Sequence, residues 1–106
     1  MIFGGQFGFG IGQNWQSVTR LPSTLYTNST GKTIFLRYQF QCNTAVLLAN
    51  GQLTIINQTG GDNNTILKAW AVGEIINLDL FVLNGKQYQI STIPAGVALI
   101  GANELR

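Results

Sequence analysis

The residues of this chain that most invite a chemical reading are Gly31-Lys32-Thr33 and the glycines that precede them in GGQFGFGIGQ. A Walker-type phosphate loop needs a glycine five positions before the Gly-Lys-Thr and a helix after it, so that backbone N–H groups and the helix N-terminus face the phosphate. Tyr26 occupies that glycine position, and the residues after Thr33 read as a strand. The dinucleotide fingerprint asks for glycines at relative positions one, three and six. Gly8 and Gly10 supply two of them, the third falls on Gln13, and no strand comes before. These glycines are therefore read as backbone devices: a glycine-rich apolar lead-in over residues 1–12, and a turn at Gly31 that enters a strand.

The chain contains no histidine. That removes the commonest general base and the commonest metal ligand together, so the usual serine triads and zinc sites are excluded. Four carboxylates remain, Asp62, Glu74, Asp79 and Glu104, arithmetically enough for the acid and base of a glycosidase. None stands where its pKa is expected to rise: Asp62 sits in a polar loop, Glu74 follows a glycine at a turn, and Asp79 alternates with Leu78 and Leu80 and is expected to face solvent. Asp62-Asn63-Asn64 lacks the later acidic ligands of a tight calcium site. Cys42 ends an apolar strand face and reads as a small buried hydrophobe rather than a nucleophile. The expectation is a protein that is not an enzyme, with no catalytic residue, no metal and no cofactor.

The elements that must position any site read as strands. Ile34–Cys42 alternates strictly, with Ile34, Leu36, Tyr38, Phe40 and Cys42 on one side and Arg37, Gln39 and Gln41 on the other, the period of a half-buried strand. Asn50-Gly51 stands between two apolar runs and predicts a type I′ hairpin over Ala45–Ile56, because both turn positions need positive φ. Asn57–Asn64 reads as an exposed, mobile loop. Strands are expected near Ile66–Val72, at Ile75–Leu83, at Gln87–Ile93 and at Val97–Ile100, separated by Gly73, by a second Asn-Gly turn at Asn84-Gly85, and by Pro94-Ala95-Gly96. With turns recurring and no helical stripe, the expected fold is all-β: one domain over residues 1–106, an antiparallel β-sandwich of jelly-roll type.

Charged residues make up only 9% of 106, with a net charge of +2, against about 25% in an ordinary domain. Asn, Gln and Thr must cover the surface. Scattered basic residues displace few counterions, so neither nucleic acid nor an anionic membrane is expected as a partner. No apolar run approaches the roughly 20 residues that span a bilayer, and the N-terminus lacks the basic-then-apolar layout of a signal peptide. A neutral amide- and hydroxyl-rich surface with aromatics suits hydrogen-bonded contact with carbohydrate. Trp15, Trp70, Tyr26, Tyr38 and Tyr88 are each able to stack on a sugar ring or to fill the core, and core or interface packing is the default reading for each.

Three segments carry a resemblance: GIGQNWQSVT, YTNSTGKTIFL and the closing ANELR. They resemble the C-terminal domains of bacteriophage and prophage tail fibre and tail spike proteins, in which Gly-x-Gly-Gln-x-Trp-Gln-x-Val-Thr is followed by Tyr-x-Asn-x-Thr-Gly-Lys-Pro-Ile and the chain ends Trp-x-Glu-Leu-Arg. The matching residues are Gly10, Gly12, Gln13, Trp15, Gln16, Val18, Thr19, Tyr26, Asn28, Thr30, Gly31, Lys32, Ile34, Glu104, Leu105 and Arg106. Ala102 stands where the pattern has Trp, Thr33 where it has Pro, and the stretch between Thr19 and Tyr26 is shorter.

The resemblance implies a small β domain at the end of a virion fibre, made in the bacterial cytoplasm and acting outside the cell as a homotrimer. Its partners would be the rest of the tail fibre and a host surface polysaccharide or lipopolysaccharide. Tyr26, Asn28, Asn57, Asp62, Asn63, Asn64 and Trp70 are the candidate receptor contacts. Ile2, Phe3, Phe7, Phe9 and Ile11 are the candidate subunit interface, being too apolar for a free tail. Two alternatives remain: a structural trimerisation or assembly module that binds no receptor, and, last, a depolymerase built on the carboxylates.

Overall fold

The computed structural model describes residues 12–57 and 62–106. Their strands are β1 (Trp15–Ser17), β2 (Tyr26–Thr27), β3 (Ile34–Cys42), β4 (Gln52–Asn57), β5 (Asp62–Leu67), β6 (Ile75–Val82), β7 (Gln87–Thr92) and β8 (Val97–Leu105). They form two antiparallel four-stranded sheets, the first ordered β1-β8-β3-β6 and the second β2-β7-β4-β5. The pairs β1·β8, β2·β7, β3·β6 and β4·β5 nest inside one another. The chain thus runs out and back as one long antiparallel ribbon, and rolling that ribbon brings β8 against β3 and β7 against β4. This is the jelly-roll solution to closing a sandwich.

The core lies between the sheets, where the inward residues of β3 (Ile34, Leu36, Tyr38, Phe40 and Cys42) meet Leu53 and Ile55 of β4 and Tyr88 and Ile90 of β7. The strict alternation of β3 is realised residue for residue, because this strand is central in its sheet and covered on one face only. Cys42 is buried, as its neighbours Phe40 and Tyr38 imply.

The expected hairpin over Ala45–Ile56 does not form. Leu48–Asn50 make a short 3-10 turn, with Leu47 and Leu48 largely exposed, and the strand begins only at Gln52. Gly51 has φ of −94°, and Asn50 is not among the residues with positive φ, so the type I′ geometry is absent. Glycine stands at 51 for another reason: a Cβ there would collide with the Lys68 carbonyl and lie 3.1 Å from Cδ1 of Trp70. The Trp70 indole also donates to the Gly51 carbonyl at 2.9 Å. The partner of β4 is β5 instead, in register from Gln52↔Leu67 to Asn57↔Asp62.

Of the expected loop Asn57–Asn64, Asn57 ends β4 and Asp62–Asn64 belong to β5, while residues 58–61 lie outside the described residues. An edge strand tolerates such polar residues, since only one of its sides is hydrogen-bonded to a neighbour. Beyond β5, Trp70 bridges Val46 rather than continuing a strand to Val72. Asn84-Gly85 is a turn, closed by Lys86 N–H on the Leu83 carbonyl at 3.1 Å with Gly85 at φ +81°, and it carries the chain from one sheet to the other. The last strand runs five residues beyond Ile100. A bulge between Gln39 and Phe40 of the partner strand leaves Ile100 unpaired and resets the alternation, and Glu104 then occupies an inward, fully buried position.

Candidate functional site

Two polar assemblies stand out, one inside the sandwich and one on its outer face. The inner one is centred on Glu104. Its carboxylate accepts from Arg20 Nε and NH2, each at 2.8 Å, from the Tyr38 hydroxyl at 2.8 Å and from the Tyr88 hydroxyl at 3.2 Å, with Arg106 NH1 at 3.4 Å. Arg20 in turn lies over the Tyr26 ring, 4.5 Å from its centroid. Burial works against the Arg20 charge, but the hydrogen bonds and negative charge of Glu104 outweigh it and hold the guanidinium pKa above its ordinary value. Tyr38 and Tyr88 are pushed up as well, first by burial and then by the adjacent carboxylate. A carboxylate sealed by two tyrosines and two guanidiniums holds the sheets together and is closed to any substrate.

The segments of the tail-fibre pattern meet around this centre. Trp15 faces Leu105 and Gln16 faces Glu104 across β1·β8, while Asn14 and Arg106 exchange backbone hydrogen bonds. Gln13 Nε2 donates to the Thr33 carbonyl at 2.8 Å. Gly31, at φ +85°, turns the chain into β3. Asn28 is fully buried: its amide donates to the carbonyls of Lys32 and Val82 at 2.7 and 2.9 Å, and its oxygen accepts from Thr30 N–H and hydroxyl. The Asn-x-Thr-Gly-Lys stretch is thus an Asn-centred turn tied to the end of β6.

Of the candidate receptor contacts, Asn28 is withdrawn by this burial. Trp70 is withdrawn likewise, its ring buried and its N–H committed to Gly51. Tyr26 is half-buried beneath Arg20, with its hydroxyl accepting from Leu21 N–H at 2.8 Å. Asn64 is half-buried on β5. Asn57, Asp62 and Asn63 take part in the β4·β5 pairing, and their side chains lie outside the described residues. The candidate interface residues Ile2, Phe3, Phe7, Phe9 and Ile11 lie outside them too, as does Gly10. Gly12 remains exposed at φ +68°.

The outer assembly was hidden from sequence reasoning. On the solvent face of the first sheet, Arg37 and Gln39 of β3, Asn77 and Asp79 of β6 and Asn103 of β8 line a concavity of about 450 Å³. The register explains the grouping, since Arg37 is opposite both Asp79 and Asn103, and Gln39 is opposite both Asn77 and Gly101. Arg37 grips Asp79 through Nε and NH2 at 3.1 and 3.3 Å. At one end of the row, Trp15 is 47% exposed, stands edge-on to Phe35 at 5.9 Å and has the Arg37 guanidinium 5.1 Å from its ring centroid. The amides of Gln39, Asn77 and Asn103 make no hydrogen bond among the described residues. The available signal was the polar phase of β3 and β6. What the sequence lacked was the pairing that places those phases side by side.

Among the described residues, no three of His, Cys, Asp and Glu gather as a metal site. Compared with protein-family models, curated proteins and solved structures, the chain matches none.

Proposed function

We propose that this chain is a non-catalytic carbohydrate-binding module, the receptor-binding end of a bacteriophage or prophage tail fibre or tail spike, which engages a host surface glycan as a homotrimer. One observation carries the reading: an exposed tryptophan beside three uncommitted amides and an arginine–aspartate pair, all on one concave sheet face. Sugars are recognised by an apolar ring stacked on an aromatic and by hydroxyls that each donate and accept, and a primary amide offers both functions. Placement on the paired strands of a sheet rather than on loops keeps the ordering cost of binding low. A weak site repeated three times on one fibre gains by effective concentration.

The carboxylates fit binding better than cleavage. Glu104 is enclosed, Asp79 is held by Arg37, and Glu74 is paired with Lys68. The test is a glycan array and whole-cell binding assay on the purified protein, run beside light scattering. Binding is expected from an oligomer, and Trp15→Ala should weaken it about tenfold, in line with the loss of one ring stack. Undiminished binding by that variant would move the site elsewhere.

A second reading rests on a different observation. Leu47, Leu48, Val72 and Ile75 are exposed, and Leu47 helps line a groove of about 590 Å³ with Ala45, Ala49, Pro94 and Ala95. Such surface favours a module that assembles the fibre. A stable trimer that binds no glycan would select it.

A further inference from the structure

We propose that the groove on the first sheet takes an uncharged sugar residue, and that Asp79 sets this selectivity by neutralising Arg37. The inference rests on the carbohydrate reading above and names the ligand class of the same site. Its basis is the charge inventory of the lining: one guanidinium, one carboxylate and three neutral amides. The two charged groups satisfy each other through two parallel hydrogen bonds. A fork–fork pair of this kind occupies the two N–H groups that would otherwise clasp an acidic ligand. The same guanidinium also lies near aromatic rings, its carbon 5.1 Å from the Trp15 ring centroid and 6.0 Å from that of Phe35. A carboxylate-bearing sugar entering the groove would meet Asp79 at close range, beside a guanidinium whose charge Asp79 already balances. A neutral sugar meets amides whose donors and acceptors are all available.

Gly101 supplies an independent handle on the location. It faces Gln39 across the sheet, and a Cβ built on it would come no closer than 3.8 Å to Gln39 Cβ and 3.9 Å to its Oε1. The fold therefore leaves room for a side chain at this strand position, where glycine is ordinarily a cost. Its absence keeps the rim beside the Gln39 amide open. A valine there would fit the strand, and its methyl groups would stand over that amide.

The experiment uses tetrasaccharides in matched pairs that differ only at C6, a hydroxymethyl group in one and a carboxylate in the other, built on glucose, galactose and mannose. Titration is followed through the side-chain amide resonances of Gln39, Asn77 and Asn103. The expected result is binding to neutral members with little dependence on salt, and at least severalfold weaker binding to the acidic partner. Asp79→Asn should raise affinity for the acidic member severalfold, in a salt-sensitive way, because it frees the Arg37 fork. Gly101→Val should lose neutral binding while keeping the wild-type melting temperature.

Equal binding of acidic and neutral members by the wild type would overturn the selectivity and leave the carbohydrate reading standing. So would an Asp79→Asn protein that melts normally but gains nothing. Unchanged binding by Gly101→Val would overturn the location. If no pair binds, the carbohydrate reading itself falls, and this inference with it.

Discussion

Glu104 is the residue on which most of the interior polar structure depends. It is fully buried, and four side chains from the β1–β2 connection, β3, β7 and the C-terminus converge on it. Glu104→Gln preserves the shape but leaves Arg20, itself largely buried, without a countercharge. Removing one partner of a buried ion pair costs about 3–5 kcal/mol, which is a large part of a domain's total of roughly 5–15 kcal/mol. Urea denaturation should show that loss as a fall in midpoint with unchanged slope. Arg20→Met combined with Glu104→Gln should cost less than the two single changes added together, because the second change removes the charge that the first left stranded. Additive losses would mean that Arg20 and Glu104 are not coupled. Nothing in the local sequence marks this role: Glu104 stands between Asn103 and Leu105 in a stretch that reads as polar. Only the inward phase of β8, reset by the bulge at Ile100, gives it away.

At the scale of elements, Gly51 tests why the expected Asn-Gly hairpin is replaced by a 3-10 turn followed by β4. If glycine is there because the Lys68 backbone passes against it, Gly51→Ala must push that segment and the Trp70 ring away. The cost should be about 2–3 kcal/mol or more, as for other overpacked sites, and it should be accompanied by a change in tryptophan fluorescence as the Trp70 indole loses its bond to the Gly51 carbonyl. A type I′ turn would give a different result, since positive φ would penalise alanine with no effect on Trp70. The same contrast explains what was legible. β3, β6 and β7 were readable because each carries an apolar phase that the core enforces. β5 was not, because Asp62-Asn63-Asn64 resembles a loop and only pairing with β4 makes it a strand. The groove on the first sheet shares this limit: Arg37, Gln39 and Asp79 were legible as an outward phase, but Asn103 joins them only through the register of β8 on β3.

For the whole molecule, the nested ribbon places β1 and β8, the first and last of the described strands, side by side, so β1, β3, β8 and the Arg20 connection must all be in place before the centre around Glu104 exists. Tyr38 belongs to the first sheet and Tyr88 to the second, and both donate to the same carboxylate, which makes this centre a bond between the sheets. Its response to alkali follows from the direction of the tyrosine shifts. Both hydroxyls have pKa values raised in the folded state, by burial first and by the neighbouring carboxylate second. A raised acid keeps its proton more firmly when folded, so its contribution is fully present below the unfolded value of about 10 and is lost as the pH climbs above it. The fold should therefore weaken steeply above about pH 10, while tyrosinate absorbance from Tyr38, obtained by subtracting the Tyr38→Phe protein, should rise only together with the loss of β-sheet circular dichroism. Ionisation of Tyr38 ahead of that loss would mean that its hydroxyl reaches solvent in the folded protein. The carboxylate would then be open to solvent, and the argument that separates the structural centre from the outward-facing groove would fail.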